Sequence, residues 1–235
     1  MSFFHLLINQ IEPFHWSQLL QPQYYINNGG LWLLLFVVFA ETGLFFGFFL
    51  PGDSLLFVAG IYSDTLISHF FETFHINIGH NQWVDLFILF AFISVVGILG
   101  NAVGYAIGKK VGPAMYDWKE NFFFKKKYLI QAQEFYEKHG GGAIVIARFI
   151  PIVRTFAPIV AGIVRMDKSK FSFYNITGSI AWVGSMLCAG HFLQAWILER
   201  FQFDLKQHLE VIVLGIVFVT TVPVIIKVIT HKSKK

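Results

Sequence analysis

The sequence predicts an all-α integral membrane protein: two opposed re-entrant helical hairpins, about three transmembrane helices and an N-terminal interfacial segment. Three observations carry this. Hydrophobic residues make up 55% of the chain and charged residues 14%, with a mean hydropathy of +0.59, whereas a soluble domain carries roughly 25% charge. No Lys or Arg occurs before Lys109, and all 18 lie from there onward. Two apolar stretches, 40–57 and 143–164, each hold two charged residues, with one proline in the first and two in the second.

The chain divides into an interfacial segment (1–30), a membrane domain (31–230) and a basic tail (231–235). Residues 1–28 contain no apolar run of the roughly 20 residues needed to span. Their aromatics and lack of basic residues suit the outer interface. No basic n-region opens the chain, so a signal peptide is not expected. Asn27-Asn28-Gly29-Gly30 reads as a turn.

Residues 31–62 are apolar except for Glu41, Thr42, Asp53 and Ser54. The segment is too long for one straight span and too short for two. A helix entering, a break at Leu50-Pro51-Gly52-Asp53 and a shorter helix returning fits it. Pro51 removes a backbone donor and Gly52 frees φ. Broken backbone at that depth survives only when buried in protein or lining a water-filled cavity. A long tilted helix kinked at Pro51, with the acids facing water at helix ends, is the alternative. A carboxylate at bilayer depth costs a few kcal/mol, so chains that keep one there generally use it.

Residues 63–83 read as a polar outer loop. Its histidines, His69, His75 and His80, are spaced six and five apart, which puts no neighbouring pair on one helical face, and no metal site is expected. Residues 84–108 form a transmembrane helix whose Gly97, Gly100, Gly104 and Gly108 permit close helix packing. A phosphate-loop reading fails, because no Gly-Lys-Ser/Thr follows and no strand precedes. Residues 109–141, with seven lysines, form a cytoplasmic loop.

Residues 143–164 place Arg148 and Arg154 symmetrically about Pro151, with Pro158 following, and the two prolines are read as the hairpin break. Two arginines in the middle of a lone spanning helix cost about 5–7 kcal/mol. A second hairpin, with the arginines at its broken tip facing Glu41 and Asp53, avoids that cost. Snorkelling of each arginine to an interface is the alternative. Residues 165–170 are basic and hence cytoplasmic, so both ends of this hairpin lie on one side. Residues 172–197 cross outward, 198–210 form an outer loop with more acids than bases, and 211–226 cross back. His191 within the fifth membrane segment reads as a packed residue. Two hairpins of opposite entry, each followed by a spanning helix, are the layout of an inverted repeat.

Other classes are disfavoured. Cys188 is the only cysteine, so no intrachain disulfide forms. The pI near 9.1 reflects basic residues flanking apolar spans, which suits anionic lipid; no nucleic-acid partner is expected. His191 lacks the second His and Arg-rich surroundings of an integral lipid phosphatase, so an enzyme is not expected, nor a cofactor.

Several motifs fall in one order: Glu41…Pro51-Gly52-Asp53; Gly97-x-x-Gly100-Asn101-x-x-Gly104-Tyr105-x-x-Gly108; Arg148-Phe149-x-Pro151-x-x-Arg154; Ala161-Gly162; Met166; and Phe171-x-x-x-Asn175-x-x-Gly178-x-x-x-Trp182. In these the chain resembles the DedA family, the bacterial branch of the VTT membrane proteins, over roughly residues 30–200. It departs from that pattern at Asn101, where many relatives have Gly-Asp. The resemblance implies two facing hairpins in a multi-pass protein of the bacterial inner membrane. It implies transport of a phospho-headgroup lipid, undecaprenyl phosphate foremost, driven by the proton-motive force. A non-selective phospholipid scramblase or a proton or small-ion antiporter are the alternatives. It makes Glu41 and Asp53 the essential acids, suited to proton coupling, and Arg148 and Arg154 the essential bases, suited to the lipid phosphate through their planar donor forks. The expected partners are that lipid and protons, and a homo-oligomer is compatible with the sequence.

The Lys/Arg bias yields a first prediction. On a Cys188→Ser background, an impermeant thiol reagent should reach a cysteine within 63–83 from the outside and one at Ser169 from the inside. Labelling of both from one face would overturn the topology.

Overall fold

A computed structural model of the protein describes residues 22–44, 52–76, 81–117 and 140–202, with positions 130, 134, 136, 138 and 205. Pro51, His80, residues 1–21, most of 118–139 and the predicted 211–226 span and basic tail lie outside the described residues.

Every described element is a helix: α1 (Pro22–Gly43), α2 (Gly52–Ile61), α3 (Ser63–Thr73), α4 (Gln82–Asp117), α5 (Gly142–Ala147), α6 (Pro151–Ile163) and α7 (Lys168–Phe201). Among the described residues, α4 and α7 are each long and apolar enough to cross a membrane. The pair α2–α3 makes a third span only if its 81° bend is counted as one broken crossing.

The breaks have local causes. Gly30, at φ 52° and ψ −144°, kinks α1 in a region open to glycine. Ile150 is extended at φ −113°, ψ 108°, the conformation favoured before proline, and Pro151 then starts α6, where its missing N–H costs nothing. Asp167 caps α7, its carboxylate accepting from the Lys170 backbone N–H at 2.9 Å.

Four sequence readings need correction. Asn27-Asn28-Gly29-Gly30 is helical up to Gly29 and breaks only at Gly30, whose non-helical backbone separates two helices within α1. The 63–83 segment is not wholly loop: 63–73 is helical because Leu66 and Ile67 bury against the core while His69, Glu72 and Thr73 face outward. Helix α4 continues nine residues beyond position 108 to Asp117, since lysines mark the end of a hydrophobic span and do not end a helix. Pro158 is not at a break but inside α6, which continues through it.

Two apolar clusters lie on either side of a charged middle. The larger joins α1, α2 and α3 to the first turns of α4 and to Trp182, Val183 and Leu187 of α7. The smaller joins Tyr105, Ile144, Ala161 and Phe171. Antiparallel α4 and α7 run through both, so the middle of each passes the charged residues.

Glycines set the separations. A Cβ at Gly108 would strike the Ile159 backbone of α6, one at Gly60 would strike the Leu187 carbonyl, and one at Gly190 would strike the Phe57 carbonyl. These helices touch backbone to backbone, which lipid favours because side-chain burial gains little there. Nothing lies within 4 Å of a Cβ built at Gly97. We therefore expect Gly108→Val to destabilise the fold by about 1–3 kcal/mol, read as a lower melting temperature in detergent, with Gly97→Ala unchanged. Equal melting of Gly108→Val and wild type would refute the α4–α6 contact.

Candidate functional site

The breaks bring four charged side chains inward. Glu41 stands in the last turn of α1 and Asp53 in the first turn of α2. Arg148 follows α5 at the break, and Arg154 lies in the first turn of α6. Three are nearly inaccessible: Glu41 at 2%, Arg148 at 4% and Arg154 at 8% exposure. Both arginines are therefore inside the protein, and snorkelling to an interface does not occur.

Arg154 bridges both acids. One terminal nitrogen donates to Asp53 Oδ1 and the other to Glu41 Oε1. The same Asp53 oxygen accepts from the Trp182 indole N–H at 3.0 Å. The Arg154 guanidinium also lies 4.9 Å from the centre of the Trp182 ring, a cation–π distance. Gly52 completes the fit from beneath: a Cβ there would overlap the Glu41 carboxylate. That is a reason for glycine at the start of α2 beyond its freedom in φ.

Arg148 is held differently. Its guanidinium donates to Asn175 Oδ1 of α7. Asn175 is fixed in turn, its amide nitrogen donating to the Ile98 carbonyl at 3.1 Å. With the Asn101 amide oriented so that oxygen faces the guanidinium, Arg148 Nη1 gains an acceptor at 3.2 Å and the Asn101 nitrogen donates to the Thr42 carbonyl at 3.1 Å. The Arg148 stem lies across Gly178. Arg148 thus rests on neutral amides, and no carboxylate is bonded to it among the described residues. Glu41 Oε2 and the Nε atoms of both arginines are buried without a hydrogen-bond partner there.

A small cavity of about 10 Å³, the size of a single water, lies among Glu41, Thr42, Asn101, Arg148, Arg154 and Trp182. The structure thus gathers Glu41, Asp53, Arg148 and Arg154 into one cluster. Gly52 is placed against it, and Pro151 at the adjoining break; Pro158 is not part of it. Sequence reasoning did not single out Trp182, Asn101 and Asn175 as site residues. Their signal was polarity at isolated positions within apolar runs, which by itself does not separate a ligand from a helix-packing contact.

These features define a helical membrane protein whose centre is a buried cluster of two carboxylates and two guanidiniums. The VTT domain family matches residues 32–192. The protein DedA of Escherichia coli strain K12 is 36% identical over 206 residues, 86% of this chain and 85% of that protein. An uncharacterized membrane protein of Mycobacterium leprae is 34% identical over 216 residues, 92% of this chain and 86% of its own. The inner membrane protein YqjA of E. coli K12 is 32% identical over 168 residues, 70% of this chain and 68% of its own. No solved structure matches the chain. The chain belongs to the DedA family of VTT-domain membrane proteins.

Removing one partner of a buried ion pair costs about 3–5 kcal/mol, because the other charge is left uncompensated. Arg154→Ala should therefore sharply lower the yield of folded protein. Glu41→Gln added to Arg154→Ala should recover part of it, since it removes one of the two orphaned acids. Monodisperse yield in detergent reads this out. No recovery in the double variant would mean that the acid does not depend on Arg154.

Proposed function

We propose that the protein translocates a lipid with a phosphate headgroup, undecaprenyl phosphate foremost, across the bacterial inner membrane, and that protons drive it. The observation that carries this reading is the contrast between the two arginines. Arg154 is bridged to two acids, whereas Arg148 is buried among neutral amides and keeps its positive charge without a bonded counter-charge. An anion that reaches the centre meets an uncompensated guanidinium whose fork suits phosphate oxygens.

The sequence of events follows from the bonds. A phosphate arriving at Arg148 competes also for Arg154. Each guanidinium bond it takes from Glu41 or Asp53 leaves a carboxylate in apolar surroundings, which then takes up a proton. Departure of the phosphate lets Arg154 reclaim both acids and expel the protons. Headgroup and protons thus use one set of donors, while the polyprenyl tail stays in lipid. The cavity of about 10 Å³ is too small for a phosphate, so on this reading the helices part to admit one.

On this reading α1–α2 and α5–α6 are the two re-entrant hairpins of an inverted repeat. Each is a broken pair of helices; α1–α2 is followed by the short α3 and then the long α4, and α5–α6 by the long α7. Inverted repeats commonly place broken tips at the membrane midplane. The E. coli relative named an inner membrane protein supports the location. Catalysis is not part of the reading.

The test is movement of labelled undecaprenyl phosphate in proteoliposomes bearing a pH gradient. Arg148→Lys and Arg154→Lys keep charge but lose the fork, and each should slow transport at least about tenfold, the loss of roughly 1.4 kcal/mol. Glu41→Gln and Asp53→Asn should insert normally and abolish gradient-driven transport. Wild-type rates in both lysine variants would reject the bidentate clamp. Equal movement of every phospholipid, indifferent to the gradient, would favour a scramblase instead.

A further inference from the structure

A second feature lies at the lysine-rich ends of α4 and α7. The two helices leave a groove of about 480 Å³ there, with Lys109 and Lys110 on one wall and Lys168 on the other. No acid lines it. Asp167, next to Lys168, is committed to capping α7. Three exposed lysines thus border one groove, and the single carboxylate of Asp167 beside them leaves their positive charge in excess.

The floor is apolar. Ala106 leaves it deep, and Tyr105 and Phe171 stack with ring centroids 4.3 Å apart at 21°. The Tyr105 hydroxyl donates to the Met166 carbonyl at 2.5 Å, which fixes the ring. A groove with an apolar floor and a cationic rim suits an amphiphile with an anionic head. Its place near the ends of two membrane-length helices, on the side that collects lysines, is the headgroup level of a leaflet.

We propose that this groove binds the headgroup of a phosphomonoester lipid from the lysine-side leaflet. The phosphate lies among Lys109, Lys110 and Lys168, and a chain lies along Ala106 and the Tyr105–Phe171 pair. The site is distinct from the central cluster but adjoins it. Tyr105 is one turn along α4 from Asn101, and Phe171 one turn along α7 from Asn175, the two amides that hold Arg148. The stacked pair stands between groove and centre. The proposal deepens the transport reading, on which it rests for the lipid's onward path, though the binding can be measured alone.

The experiment places a small fluorophore on a cysteine at Ser172, in the groove, on the Cys188→Ser background of the full chain. The protein is reconstituted in phosphatidylcholine vesicles containing either brominated phosphatidic acid or brominated phosphatidylcholine. Brominated phosphatidic acid should quench with about fivefold preference over phosphatidylcholine at equal mole fraction, the scale of one lysine at a membrane surface. The preference should vanish in Lys109→Gln/Lys110→Gln/Lys168→Gln and be absent for a label at Ala189, toward the other end of α7. Equal quenching by the two lipids, a preference that survives the triple variant, or one abolished by excess inorganic phosphate each overturns the lipid site. Arg154→Ala/Glu41→Gln keeps the groove and separates the two readings: groove preference retained with transport at the wild-type rate defeats the central mechanism and leaves the groove standing.

Discussion

The Arg154 guanidinium shared between Glu41 and Asp53 is the bond on which the rest depends. It ties together the end of α1, the start of α2 and the start of α6, three helix ends that would otherwise meet as bare backbone. Each ion alone would be expensive at this depth. Together they satisfy one another, and Trp182 supplies both an N–H for Asp53 and a ring face for Arg154. The breaks in the helices are what allow charged side chains from distant parts of the chain to converge between two apolar clusters.

The neighbouring arginine shows why a similar residue in a similar place need not do the same work. Arg148 is as buried as Arg154, yet its partners are Asn101 and Asn175. Amides orient a guanidinium without neutralising it. The asymmetry gives the cluster one occupied cation and one available one. It also gives meaning to the neutral residue at 101, where an acid would have supplied Arg148 with a counter-charge.

Much of the centre was legible in the sequence, because charge in an apolar run has few explanations. Glu41, Asp53, Arg148 and Arg154 stood out for that reason, and complementary sign suggested that they meet. How the pairs divide was not legible: spacing along the chain does not tell which arginine reaches which acid. Trp182 and Asn175 entered only as motif letters, since a tryptophan or an asparagine in a membrane helix is common. Helix α3 was read as loop because its polar residues outnumber its apolar ones, although Leu66 and Ile67 suffice to bury one face. The end of α4 was missed because a hydrophobic boundary is not a helical one. Close approach at Gly108 was foreseen from residue size, but its partner on α6 came from the fold.

Two carboxylates and two guanidiniums sum to zero, and that sum determines what an electric field can act on. A potential of 100 mV is worth about 2.3 kcal/mol for each elementary charge carried across it. In the transport cycle proposed above, a centre with all four groups ionised would carry no net charge through the field and would be indifferent to voltage. On the same proposal a bound phosphate would break that balance, and each proton carried with it would offset one of its charges. Current measured per lipid moved would therefore count the protons that travel with it.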